Sequence, residues 1–148
     1  MFMLKKNSPE SINEFINKAL EVPFRDQGRD FSGWDCGGLI INAYHYCFGI
    51  DLPDMEGISA LDNAQAARAF TSFSRTCQEI SPGQEKVGDV ALFRRGRWES
   101  HAGLVVGPGM VLHAEADLGI TCIEPFNQGL LKPRLVGIYR HEQLAGSH

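Results

Sequence analysis

Three side chains in this sequence are suited to nucleophilic and acid–base chemistry: Cys36, His101 and His113. Cys36 follows a glycine-containing loop and opens an apolar segment that is typical of a helix. The first N–H groups of a helix have no intrahelical acceptor and carry a positive partial charge, so this position favours a thiolate. Cysteine catalysis also needs an imidazole base and a third group that orients it. The sequence therefore predicts a cysteine–histidine catalytic site.

The two histidines lie on either side of the turn sequence Gly107-Pro108-Gly109, in segments typical of strands. A three-residue loop would pair Val106 with Met110 and place His101 and His113 on one face, one diagonal step apart. A five-residue loop would set them directly opposite each other, and a two-residue loop would place them on opposite faces. The glycines favour the longer loops. We therefore predict that His101 takes the cysteine proton, giving a thiolate–imidazolium pair, and that His113 orients its ring.

A metal site is the competing interpretation, with Cys36, His101, His113 and Cys122 as ligands. Zinc sites usually draw on closely spaced ligand pairs, and the sequence has none, so we predict no metal and no cofactor. The remaining cysteines and histidines are predicted to have no chemical role. We expect reduced core residues at Cys47, Cys77 and Cys122, and solvated side chains at His45, His141 and His148.

Two short segments are candidates for substrate contacts. The segment Arg94–Trp98 connects two strands near His101 and is either an exposed charged loop or a clamp for a carboxylate-bearing substrate. In the second interpretation Arg97 binds the carboxylate and Trp98 forms a wall of the groove. Asp35, beside the cysteine, either caps the helix or fixes the free amine of a peptide.

The composition is that of an ordinary globular protein. Its 148 residues contain 43% hydrophobic and 22% charged residues, which predicts a single domain over residues 1–148. The net charge of −4 is spread without long runs, so nucleic acid and anionic membranes are not expected partners. No apolar run approaches the length of a membrane span. Residues 1–7 lack the apolar segment of a secretion signal, which predicts synthesis in the cytoplasm.

The order of elements predicts an α+β fold. The first helix, capped by Asn7 or Ser8, ends before Pro23; the second runs from about Cys36 to Phe48; and the third runs from Ser59 to about Phe73. Alternating segments typical of strands follow at 89–93, 101–106, 110–114, 120–124 and 135–140. We predict N-terminal helices packed on an antiparallel sheet of about five to six strands.

These segments resemble the successive motifs of NlpC-type cell-wall peptidases. The motifs are Asp35-Cys36-Gly37-Gly38-Leu39, residues 88–93, residues 101–107 and Val111-Leu112-His113-Ala114, within a similarity that spans about residues 25–140. The resemblance implies a papain-like fold and cleavage of peptidoglycan stem peptides, typically between γ-D-glutamate and a diamino acid. It implies that Cys36 is the nucleophile, His101 the base, His113 the orienting residue and Asp35 a substrate contact. The family usually has serine or tryptophan where this chain has Gly37, so we expect Gly37 to shape the substrate groove.

Other features resemble the phage-tail-associated branch of that family: Gly28-Arg29-Asp30, Leu52-Pro53 and the closing strand 136–140. This resemblance implies a virion tail or tail-like particle that acts on the cell wall, with phage tail proteins as further partners. Two alternatives remain open. One is a catalytically silent tail-assembly or binding module of the same fold, and the other is a toxin-like cell-wall amidase delivered into competitors.

Overall fold

The computed structural model describes residues 9–53 and 58–145. Its helices are α1 (Pro9–Ala19), α2 (Cys36–Ala43), which continues into a π-helical turn (Tyr44–Phe48), α3 (Asn63–Ser74), a 3₁₀ turn (Lys132–Arg134) and α4 (Glu142–Ala145). Its strands are β1 (Arg29–Asp30), β2 (Gly33–Trp34), β3 (Cys77–Ile80), β4 (Val90–Arg95), β5 (Trp98–Gly107), β6 (Met110–Glu115), β7 (Ile120–Pro125) and β8 (Leu135–His141). No helix within these two ranges is long and apolar enough to cross a membrane.

Six strands form one antiparallel sheet in the order β3-β8-β4-β5-β6-β7, and β1 and β2 form a separate hairpin. The predicted α+β fold, with helices packed on an antiparallel sheet, is confirmed. The sequence analysis missed β3, because this edge strand buries only Ile80 and has no alternating apolar pattern. Its backbone pairing with β8 defines it instead.

The predicted helix boundaries hold in part. The second helix begins at Cys36, as predicted, but the third begins at Asn63 rather than at Ser59. Asp62 caps it by accepting the N–H of Gln65 at 3.1 Å, while the hydroxyl of Ser59 donates to Asp26 at 2.6 Å. The predicted caps of the first helix, Asn7 and Ser8, lie outside the described residues.

Apolar side chains form a core on each face of the sheet. On one face α1, α2 and α3 pack against side chains such as Ala102, Leu104 and Leu112. On the other face Phe93 and Val105 belong to a smaller cluster that residues 126–131 cover. Side chains alternate along β5, so His101 lies on the face of Phe93 and Val105, opposite to the helices.

Three predictions about the remaining cysteines and histidines are wrong. Cys77 and Cys122 are only half-buried, whereas Cys47 is buried as predicted. His141 is buried rather than solvated, because β8 carries its ring against the rings of Tyr44 and Phe73. In contrast, the exposed His45 agrees with its prediction and pairs with Asp51 at 2.7 Å. His148 lies outside the described residues.

Candidate active site

Cys36 is the first residue of α2, and its position is set by the Asp35 cap. One Asp35 carboxylate oxygen accepts the N–H of Gly38 at 2.8 Å and a guanidinium N–H of Arg29 at 3.0 Å. The other oxygen accepts the N–H of Gln27 at 2.8 Å. Asp35 is 2% exposed, so its carboxylate holds the helix start to the preceding loop. The structure thus shows the capping role, and the predicted amine contact stays a prediction.

The glycines around Cys36 have a packing cause. A Cβ at Gly38 would overlap the carbonyl oxygen of Gly28, and a Cβ at Gly28 would overlap the backbone of Gly33. Only glycine allows this close approach of the loop to α2. Gly37, which is predicted to shape the substrate groove, is buried beside the cysteine. It lines a small cavity together with Cys36.

The Cys36 thiol is buried, with 3% of the residue exposed. The adjoining cavity, of about 10 Å³, is lined by residues such as Ile58 and Phe70. Burial and the nearby Asp35 charge raise the pKa of Cys36 to about 12, although the N–H groups of Ala102 and Gly37 act in the opposite direction. The predicted thiolate is therefore not the resting form, because burial outweighs the effect of the helix terminus.

The hairpin turn brings the two histidine rings into contact. A two-residue turn closes the pair Gly107↔Met110, and a bulge beside it restores the register in which Val105 pairs with Val111. This is the register predicted for a three-residue loop, and it places His113 opposite Gly103. Nε2 of His101 lies 2.9 Å from Nδ1 of His113, and both residues are fully buried.

The directions of the hydrogen bonds around the histidines follow from one donor. Arg95 Nη2 lies 3.2 Å from His101 Nδ1, and arginine can only donate, so Nδ1 carries a lone pair. The neutral His101 ring then has its proton on Nε2 and donates to His113 Nδ1. His113 in turn donates from Nε2 to Glu124 Oε1 at 2.8 Å. The result is a continuous chain from Arg95 through both histidines to Glu124.

The sequence pattern did not predict Glu115 and Glu124 as members of this cluster, and it indicated Arg95 only as part of the segment Arg94–Trp98. Glu115 accepts from Arg95 Nη2 at 3.1 Å, and its other oxygen lies 3.9 Å from His101 Nε2 and from His113 Nδ1. The alternation of side chains along the strands could have predicted that both carboxylates lie on the face of His113. Glu115 is two residues after His113 on β6, and Glu124 is two residues after Cys122, the cross-strand partner of His113.

Cys36 contacts β5 at Ala102, the residue that follows His101. The ladder between β5 and β6 ends at Leu104↔Leu112, and the N–H of Ala102 contacts the cysteine sulfur instead. Both ring nitrogens of His101 are engaged, by His113 and by Arg95, so neither hydrogen-bonds Cys36 in this state. Burial, followed by the positive charge of Arg95, holds the pKa of His101 well below its usual value. The predicted thiolate–imidazolium pair is thus replaced by two neutral groups.

The predicted substrate contacts Arg97 and Trp98 line an open cleft of about 640 Å³. The Arg97 guanidinium carbon lies 5.0 Å from the centre of the Trp98 ring. The cleft extends to Arg95 and Glu115, and Ala60 lines both this cleft and the cavity beside Cys36. The structure therefore places both predicted residues next to the histidine cluster.

The metal ligand set considered from the sequence does not assemble. Within residues 9–53 and 58–145, two groups place three possible ligand atoms within 4.8 Å of one another. One contains His101, His113 and Glu115, and the other contains His113, Cys122 and Glu124. Neither includes Cys36.

A helix-terminal cysteine in contact with Ala102, the residue after His101, agrees with the motif order found in the sequence, and the NlpC/P60 family model matches residues 21–140. This chain belongs to the NlpC/P60 family. Among curated relatives, the murein DD-endopeptidase MepS/murein LD-carboxypeptidase of Escherichia coli K12 is 26% identical over 113 residues, which cover 76% of this chain. The chain spans about half the length of that relative, 52%.

Solved structures of NlpC/P60 proteins share this fold. An NlpC/P60 family protein from Bacillus cereus superposes with a TM-score of 0.69 at 20% identity, covering 93% of this chain and 41% of that one. RipD from Mycobacterium tuberculosis, described as a non-catalytic NlpC/p60 domain protein adapted to peptidoglycan binding, gives 0.60 at 18% identity, covering 90% and 95%. At these identities the similarity shows the fold, which catalytic and non-catalytic members have in common.

Proposed function

We propose that this protein is a cysteine peptidase that hydrolyses peptidoglycan stem peptides, at the bond between γ-D-glutamate and a diamino acid. Cys36 is the nucleophile, His101 the base, and His113 the residue that positions His101. Two observations carry this proposal: the hydrogen-bonded chain from His101 through His113 to Glu124, and the contact of the helix-terminal Cys36 with Ala102, the residue after His101. Family membership supports the substrate class.

The proposed reaction starts from neutral groups. Nε2 of His101 is held by His113, so Nδ1 is the nitrogen that takes the Cys36 proton as the sulfur attacks the scissile carbonyl. The imidazolium then gives this proton to the departing amine, which leaves a thioester on Cys36. Water attacks the thioester, His101 takes the proton of the water, and the proton returns to the sulfur as the acid product leaves. The backbone N–H of Cys36 is the proposed oxyanion donor.

The cluster offers countercharges for the imidazolium. Glu124 accepts from His113, and Glu115 lies 3.9 Å from His101 Nε2. Arg95 has the opposite effect, because its positive charge beside Nδ1 disfavours a second cation there. We therefore propose that a bound substrate draws the Arg95 guanidinium away from Nδ1, which frees the lone pair for the Cys36 proton.

The open cleft provides the proposed contacts for the stem peptide. Three guanidinium groups line it, those of Arg95, Arg97 and Arg134, together with the carboxylates of Glu115 and Asp117. The surplus of positive charge suits the free carboxylates of a stem peptide, which guanidinium groups bind with two parallel hydrogen bonds.

The direct test is hydrolysis of purified peptidoglycan and of synthetic stem peptides, with the products identified by mass spectrometry. Cys36→Ala is expected to lower turnover by about 10³-fold or more, as loss of a nucleophile does in other hydrolases. Cys77→Ala is the matched control, since it removes a half-buried thiol far from the site in sequence and is expected to leave turnover unchanged. Equal turnover in Cys36→Ala and wild type would contradict the proposal.

A binding module of the same fold is the second candidate. It is favoured by the burial of Cys36, by the small cavity beside it and by the engagement of both His101 nitrogens. Co-sedimentation with purified peptidoglycan separates the two candidates. Binding by the wild type without product formation would support the binding module, while binding with product formation supports the peptidase.

We also propose that the protein acts as part of a virion tail or a tail-like particle. Support comes from the resemblance of Gly28-Arg29-Asp30 and Leu52-Pro53 to the phage-tail branch. Particles purified from producing cells should then contain this chain at a fixed ratio to the major tail protein, measured by quantitative mass spectrometry. Its absence from such particles would overturn this assignment and leave the proposed reaction untouched.

A further inference from the structure

Three ligand-type side chains converge on the far side of His113, away from His101. His113 and Cys122 are cross-strand partners on β6 and β7, and Glu124 follows two residues later on the same face as Cys122. Nε2 of His113 lies 2.8 Å from Glu124 Oε1 and 3.8 Å from Cys122 Sγ. The Cys122 sulfur lies 3.7 Å from the same glutamate oxygen.

These separations match those of a tetrahedral zinc site. With zinc bonds of about 2.0 Å to nitrogen or oxygen and about 2.3 Å to sulfur, tetrahedral angles place ligand atoms about 3.3 to 3.6 Å apart. The two distances to sulfur fall within a few tenths of an ångström of this range, and the contact between His113 and Glu124 needs to open by about half an ångström. We propose that His113, Cys122 and Glu124 bind a zinc ion, with a water molecule as the fourth ligand.

The second group of possible ligands is a poorer cation site. In the group of His101, His113 and Glu115, one oxygen of Glu115 accepts from Arg95 Nη2 at 3.1 Å, so a fixed positive charge borders the position. The charges that act on Cys122 are the carboxylates of Glu124 and Glu115. Electrostatics therefore favour a cation beside Cys122 over one beside His101.

The proposed site is open to solvent on one side. His113 is fully buried and held by its neighbours, whereas the Glu124 side chain is 32% exposed and Cys122 is half-buried. A metal ion can therefore enter past Glu124 without unfolding β6 or β7. Imidazole, thiolate and carboxylate are all established zinc ligands, and the thiolate favours zinc over magnesium or calcium.

Bound zinc would reverse the hydrogen bond between the histidines. This step rests on the proposed function. A metal on His113 Nε2 places the ring proton on Nδ1, which faces Nε2 of His101 at 2.9 Å. His101 would then accept at Nε2 and carry its proton on Nδ1, the nitrogen that must receive the Cys36 proton, and the Arg95 Nη2 donor now 3.2 Å from Nδ1 would have to move away. Zinc bound at this site would thus inhibit the peptidase.

Zinc binding is tested first, without any activity readout. Isothermal titration with Zn²⁺, and the absorption spectrum of Co²⁺ bound to a thiolate, are measured under reducing conditions in a Cys36→Ser background. Cys122→Ser and Glu124→Gln are each expected to weaken binding by at least about 100-fold, since changes in outer-shell partners alone cost about 10- to 100-fold. One zinc bound with unchanged affinity by both variants would overturn the site.

Cys77→Ser is the matched control for Cys122→Ser. Cys77 is also a half-buried cysteine with a cross-strand histidine, His141, and it does not belong to either three-ligand group of the described chain. This variant should bind zinc like the parent protein. Urea unfolding of each variant verifies that lost binding does not reflect lost folding.

Inhibition is tested with the stem-peptide assay. Each protein is compared with its own zinc-free rate. Stoichiometric Zn²⁺ should lower the turnover of the wild type by about 10-fold or more, and the turnover of Cys122→Ser by less than about 2-fold. If zinc binds through Cys122 without slowing turnover, the proposed inhibition is wrong and the proposed zinc site still stands. If the protein binds zinc through Cys122 but never hydrolyses peptide, the proposed function is wrong and the proposed zinc site still stands.

Discussion

Cys36 and His101 are both neutral at rest, so the site does not hold the predicted ion pair. Burial raises the pKa of the Cys36 thiol to about 12, and burial with the Arg95 charge lowers the pKa of His101. A thiol in this state is protected from oxidation and alkylation until the site opens. The protonation states at rest and during the reaction therefore differ, which gives predictions for individual residues.

Alkylation with iodoacetamide should show the neutral thiol directly. The order of reaction at pH 8 is expected to be Cys77 and Cys122 before Cys36, because both are half-buried and have a pKa raised only to about 11. The rate at Cys36 should be small at pH 7 and still rising at pH 10, as followed by peptide mass spectrometry. An inflection below about pH 8.5 at Cys36 would instead indicate a preformed thiolate.

Arg95 should control the basicity of His101. Replacing Arg95 with glutamine removes the positive charge beside Nδ1, so the pKa of His101 is expected to rise while burial still keeps it low. The measurement is an NMR titration of the histidine ring signals. Arg97→Gln is the control, because Arg97 is exposed and stacks on Trp98 instead. A His101 titration that is unchanged by Arg95→Gln would contradict this role.

At the scale of the elements, the close approach of β5 and β6 at Gly103 makes the site possible, because it brings the two histidine rings together. Gly103 lies opposite His113 in the register of this hairpin, and a Cβ there would overlap the Val111 side chain and come within 3.1 Å of the His113 Cβ. The two strands can therefore bring the histidine rings together only while position 103 is a glycine.

Gly103→Ala should push the two strands apart. We expect a loss of about 1 to 3 kcal/mol in the free energy of unfolding, as for other overpacked cores, together with a loss of turnover. Gly107→Ala is the matched control on the same strand, since a Cβ there meets open space, and a change below about 0.5 kcal/mol is expected. Urea unfolding measures both. Equal stabilities for the two variants would show that β5 and β6 tolerate a side chain at position 103.

At the scale of the whole molecule, buried titratable groups limit the pH range of stability. The pKa values of His101 and His141 are lowered in the folded protein, so below about pH 6.5 the unfolded chain binds more protons and stability falls as pH falls. The pKa values of Cys36 and Cys47 are raised to about 12, so above about pH 8.5 the unfolded chain loses protons first and stability falls as pH rises.

Urea midpoints measured from pH 4 to pH 10 should therefore peak between about pH 6.5 and pH 8.5. His141→Phe removes a histidine that lies outside the proposed active site and has a lowered pKa. In this variant the urea midpoint is expected to decrease less steeply as the pH falls. A wild-type midpoint that stays constant between pH 5 and pH 7 would contradict this account.

The sequence by itself determined the fold class and the start of α2, and it made the pairing of the two histidines depend on the length of one loop. Each depends on local rules: a capping aspartate and glycines at a helix start, and a period of two residues along strands. The length of the loop stayed open between two, three and five residues. The turn has two residues, which alone would place His101 and His113 on opposite faces, and only the bulge beside it restores the register of a three-residue loop.

Only the tertiary structure decided the electrostatic state of the site. Arg95, Glu115 and Glu124 come from three different strands; alternation along β6 and β7 places the two carboxylates on the face of His113, but only the packed sheet brings all three groups to one histidine pair. The neutral Cys36 thiol likewise results from burial, in a part of the structure where residues distant in the chain, such as Ile58 and Phe70, line a cavity with it. Burial and charge at a point depend on every segment that packs there, so local pattern could predict which groups do chemistry but not their protonation states.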